Sequence, residues 1–91
     1  MTEGKGDVDE LPKLDFTTFI VSLGQSAAVH LGDAPGPDGK LERDLELALQ
    51  DIELLALLQE KTKGNLTGEE ERLLDETLDE MRERFEEIAK E

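Results

Sequence analysis

Residues 60–70 read Glu60-Lys61-Thr62-Lys63-Gly64-Asn65-Leu66-Thr67-Gly68-Glu69-Glu70. Lys61 and Lys63 put cations where a helix dipole ends, and Gly64-Asn65 supplies residues that tolerate the left-handed conformation terminating a helix. Thr67, with Glu70 three positions later, is the signature of a capping box that starts the next one. A helix stops and another begins within a few residues, so the two must run antiparallel as a hairpin. Downstream, Leu74, Leu78, Met81, Phe85 and Ile88 recur at alternating steps of four and three, bordered by Leu73, Thr77 and Ala89. The other side carries Asp75, Glu76, Asp79, Arg82, Glu83, Glu86, Glu87 and Lys90. This pattern predicts a helix over about 68–90 that buries one side only.

Upstream of the turn, Leu41, Leu45, Ala48, Leu49, Ile52, Leu55 and Ala56 form a stripe flanked by Leu47, Leu54 and Leu58. The predicted helix covers roughly 39–63 with Asp38 as its cap, and its apolar arc is wide enough for two neighbours. Asp44 and Asp51, seven apart, fall inside that arc and are expected to rim it, reaching solvent or a nearby base. Gly32 to Gly39, with two prolines and three glycines, is a loop. Before it, Asp15 is a good N-cap for a helix over about 16–31. At ~100° per residue, Phe16, Phe19, Ile20, Leu23, Ala27, His30 and Leu31 share a face, while Val21, Gly24 and Ala28 occupy a second flank. Glycine costs ~1 kcal/mol against alanine inside a helix. Gly24 and Ala28, four apart, would let another backbone approach closely. This helix is apolar over so much of its circumference that it must be covered from more than one side.

Residues 1–13 hold charge and glycine with little to bury, and Pro12 discourages a helix before it, so a disordered acidic tail is expected there. Residues 14–91 form the helical domain. The expected fold is all-α: a small three-helix protein, its hydrophobic first helix clasped by, or exchanged between, antiparallel hairpins, forming part of a homo-oligomeric bundle.

Ninety-one residues allow one domain whose private core is marginal. Small domains compensate with disulfides, metals or oligomerisation. With no cysteine and one histidine, oligomerisation is the remaining route. The net charge is −14, and residues 64–91, with 4 bases and 11 acids, supply half of it. Such a chain lacks the basic stripe that phosphate backbones require, which argues against direct nucleic-acid binding. Met1 to Asp7 has no basic patch before an apolar run, and Phe16–Leu31 is too short and polar to span a bilayer. The expected location is the cytoplasm, without membrane contact.

Several apparent motifs fail on chemistry. Gly39-Lys40 follows a Gly/Pro-rich stretch, but Ala34 and Leu41 stand where a phosphate-binding loop needs Gly and Ser or Thr. Asp33, Asp38 and Gly39 lack the alternating oxygen ligands and closing Glu of a calcium loop. Asn65-Leu66-Thr67 fits a glycosylation acceptor formally, yet reads as a capping turn. His30 is expected to interact with the carbonyls ending the first helix. Ser26 lies four residues before it, within touching distance, but nothing in the sequence supplies a third member or an oxyanion hole. A single His without Cys cannot make a protein-only zinc site. No catalytic, metal or cofactor-binding residue is therefore assigned.

Three segments carry a resemblance: Phe16-Thr17-Thr18-Phe19-Ile20-Val21-Ser22-Leu23, Val29-His30-Leu31-Gly32, and Glu60 to Thr67 followed by Leu73-Leu74. With these the chain resembles, over about residues 14–89, the bacterial domain of unknown function 1844. The resemblance implies a short bacterial helical protein with no assigned activity. It also implies a basic residue at Leu49, an aromatic at Asp79 and an apolar residue at Glu83; the departures here make the last helix more acidic and less adhesive.

The functional expectation is a helical interaction module without catalytic activity that associates with itself, through Phe19, Val21, Leu23, Gly24 and Ala28. The alternative is an acidic regulator or decoy that binds a basic protein surface through residues 64–91, with Asp75, Asp79, Glu83 and Glu86 as its docking face.

Overall fold

A computed structural model of the protein describes residues 15–91. The tail expected at 1–13 lies outside the described residues. Helix α1 spans Phe16–Leu31, α2 spans Leu45–Lys61 and α3 spans Gly68–Ala89, and each packs against the other two. The fold is all-α, as the periodicities require.

Each helix begins on a side-chain cap. Asp15 Oδ1 accepts from the Thr18 N–H at 2.8 Å, satisfying one of the donors a first turn leaves unpaired. That bond to the Thr18 backbone is the main reason the Asp15 carboxyl is held below its usual range. The box at the head of α3 is complete: Glu70 N–H donates to Thr67 Oγ1 at 3.2 Å, and Thr67 N–H donates to Glu70 Oε1 at 2.9 Å. α1 stops at Gly32, whose φ of 85° is a left-handed conformation that only glycine adopts freely.

α2 departs from expectation at its start. It begins at Leu45, not near 39, and Asp44 rather than Asp38 is its N-cap, accepting from the Leu47 N–H at 3.1 Å. Asp38 instead closes a turn, accepting from the Lys40 N–H at 3.0 Å, beside Gly39 at φ 79°. The reason is tertiary. The Asp44 N–H donates to the His30 carbonyl at 2.7 Å, and Arg43 Nε donates to the Leu31 carbonyl at 3.1 Å. These two residues satisfy carbonyls that the end of α1 leaves open, and they could not do so from inside a helix continuing back to Gly39. Leu41, placed by spacing at the head of the apolar stripe, is consequently 64% exposed. At its other end α2 stops at Lys61, two residues early: the backbone leaves helical geometry at its C-cap Thr62, and Gly64, at a left-handed φ of 83°, turns the chain away.

The core has two connected parts. Ile20, Ile52, Leu55, Leu74 and Leu78 form the larger, with Phe16, Leu23, Leu58 and Phe85 packed around them. Leu31, Ala48 and Ile88 form the smaller at the other end. Apart from Ala27, which is also buried, these are the fully enclosed side chains among the described residues, and none is polar. So small a core leaves much of the remaining stability to caps and edge contacts.

Candidate interaction surface

α1 lies in the cleft of the hairpin, with one edge against α2 and the other against α3. The two edges differ in chemistry.

On the α3 edge, a Cβ built on Gly24 would stand 3.0 Å from Thr77 Cγ2. The close approach that glycine permits is thus used by the chain's own last helix. The expectation that Gly24 points away from the hairpin toward a second copy is corrected: the parallel course of α1 and α3 brings Thr77 onto it. Ala28 is half-buried, and Val21 alone of that flank stays exposed. Beyond this edge, Arg84 clamps the loop after α1, donating from Nε and Nη2 to the two carboxylate oxygens of Asp33 at 2.7 and 2.9 Å. The guanidinium holds the Asp33 carboxyl below its usual range. It also donates to Glu87 at 3.1 Å.

On the α2 edge, His30 lies with Asp51. A carboxylate can only accept, so Nδ1 carries the proton and donates to Asp51 Oδ2 at 2.5 Å. Ser26 Oγ donates to the same oxygen at 3.3 Å. Both contacts are half-buried. Asp51 is the partner that sequence left unnamed; the signal was its place within the apolar arc of α2. His30 therefore pairs with a side chain across the helix interface, while its own carbonyl is capped by Asp44.

The order of the three groups decides their chemistry. A nucleophilic serine needs the imidazole between itself and the carboxylate. Here Ser26 bonds to the carboxylate directly, so the imidazole is not positioned to take its proton. The arrangement ties α1 to α2 and leaves Nε2 without a hydrogen bond among the described residues.

Around this cluster lie large apolar side chains that water still reaches. Phe19 is 38% exposed, and Leu47 and Leu54 are 41% and 42% exposed. Leu23 and Leu58 are half-buried beside them. On α3, Asp79, Glu83 and Glu86 are exposed, and none makes an ion pair among the described residues. Asp75 is not part of that open face: it is half-buried and accepts from Gln59 Nε2 at 2.7 Å. That bond joins α3 to α2.

Among the described residues no group of three His, Cys, Asp or Glu side chains could hold a metal ion, and no helix is long and apolar enough to cross a membrane. Searches of curated proteins and of solved structures each found no match. The family model of the domain of unknown function DUF1844 matches residues 13–87 of the 91-residue chain, and the protein belongs to that family.

Proposed function

We propose that this protein is a helical interaction module of the bacterial cytoplasm that associates with itself and has no catalytic activity of its own. The observation that carries the reading is the set of exposed apolar side chains on packed helices, among which Phe19, Leu47 and Leu54 border the groove between α1 and α2. Scattered single apolar residues on a surface mean little, but several bordering one helix–helix groove favour a partner. A core of few residues gives the same chain a stability motive for association. Light scattering on a dilution series, at about 0.1 M and about 1 M salt, tests this. Between those salts the Debye length shrinks from ~10 to ~3 Å. Apolar association persists or strengthens at the higher salt. A monomer at tens of micromolar in both would refute it.

A second reading keeps one specific observation: Asp79, Glu83 and Glu86 are exposed on the most acidic segment of the chain. An acidic regulator docking there on a basic protein surface would release its partner as salt rises. The same series, run with the basic partner present, separates the two.

A further inference from the structure

We infer that the second copy seats on the face shared by α1 and α2, around Ser26, His30 and Asp51, and not on the Val21–Ala28 flank. This rests on the self-association reading and names its surface.

The argument is electrostatic. Two chains of net charge −14 repel one another, so they can meet closely only where carboxylates are sparse. All 16 residues of α1 lack Asp, Glu, Lys and Arg. What distinguishes its two edges is the neighbour. On α3, Thr77 meets α1 and Arg84 meets the loop after it, and helical spacing sets the exposed Glu80 and Glu87 beside them. A copy approaching the Val21 flank would meet those carboxylates with its own.

α2 is different. Its acids other than Asp51 are Glu46, Glu53 and Glu60, spaced seven apart, and so they form one line along the helix. Asp51 bonds to α1, and Leu47 and Leu54 stand one turn to either side of it on the same flank. The line of glutamates falls on the opposite flank. The α1–α2 face therefore offers Phe19, Leu47 and Leu54 with Leu23 and Leu58 beneath, and its two carboxylates already have partners: Asp51 is held by His30 and Ser26, and Asp44, at the end of the face, accepts from the Leu47 N–H. A basic partner would find only the capping Asp44 within reach there. A second apolar face with few charges fits, and each copy of this chain carries one. Two copies related by a two-fold axis would cover both at once, the self-complementary arrangement of most homodimers.

The chain has no cysteine, which permits a clean test. A Leu54→Cys variant should give a covalent dimer with a short bis-maleimide, and a Glu80→Cys variant should not. In light scattering, Leu54→Glu should raise the dimer Kd about a hundredfold or more, since each interface would desolvate two unpaired carboxylates. Val21→Glu should leave Kd within a few-fold of wild type, and circular dichroism should show both variants helical. Cross-linking of the Glu80→Cys variant but not of Leu54→Cys, or a Val21→Glu monomer beside a Leu54→Glu dimer, would overturn the placement while leaving self-association standing. A wild-type monomer would instead remove the reading beneath it. A complex held at Leu54 with another protein and never with itself would overturn the choice of partner.

Discussion

His30 Nδ1 stands 2.5 Å from Asp51 Oδ2 across 21 residues of sequence, and it is the only histidine in the chain. The pair sits at the half-buried edge between α1 and α2, so it acts as a lateral tie between helices whose deeper contacts are apolar. Its loss should be felt in stability before anything else.

Asp51→Ala should lower the urea unfolding midpoint by the equivalent of about 1.5–3 kcal/mol, the range for hydrogen bonds to charged groups. Asp51→Asn keeps an acceptor for Nδ1 and should cost less. Equal losses from the two variants would show that the contact contributes little beyond packing.

Gly24 and Thr77 should be energetically coupled. Replacing glycine by alanine inside a helix gains ~1 kcal/mol, but here the new methyl meets Thr77 Cγ2 at 3.0 Å. Gly24→Ala alone should therefore stabilise by less than that amount. In a Thr77→Ser background, which removes Cγ2, it should recover the full gain. A double-mutant cycle with no interaction energy would mean that the two helices have room for the methyl.

The start of α2 can be checked by a pair of cap variants and a pair of leucine variants. Asp44→Ala should cost about 1 kcal/mol, as N-caps do, and Asp38→Ala clearly less. Leu55→Ala should cost about 2–5 kcal/mol, and Leu41→Ala should stay within about 0.5 kcal/mol. A helix beginning near Gly39 would reverse the order of the first pair and raise the cost at Leu41. Chemical denaturation measures all four.

Stability should respond to acid in two phases. From pH 7 toward the sequence pI of about 4.3, protonation relieves the self-repulsion of a −14 chain, and the melting temperature should rise. Asp15 and Asp33 act in the opposite sense lower down. Their folded pKa values lie below the ordinary 3.8, so the stability they contribute is fully present above that pH. It is lost as pH falls through their folded values. The melting temperature should thus drop again below about pH 3.8, and Asp15→Asn with Asp33→Asn should flatten that limb. A steady fall from pH 7 would show that specific carboxylate contacts outweigh the net repulsion.

The hairpin, the Thr67–Glu70 box, the Asp15 cap and the three helices were legible because each depends on residues three or four apart, a distance over which spacing determines geometry. The candidate surface was legible only in outline. Spacing put Leu23 on the face of α1 that meets the hairpin, though not that Phe19 beside it stays exposed, and it marked the last helix as the acidic one. It could not tell that Thr77 would fill the notch at Gly24, or that Asp75 would turn to Gln59. It missed Asp51 as the partner of His30, since a helical wheel gives the direction of a side chain and not the identity of what lies across from it. The same limit explains α2. Sequence alone determined that a helix carries Leu45 to Leu58 and which of its sides is apolar. Only the tertiary structure decided that it starts at Leu45, because the open carbonyls of His30 and Leu31 at the end of α1 claim Asp44 and Arg43 and keep the chain before them out of a helix.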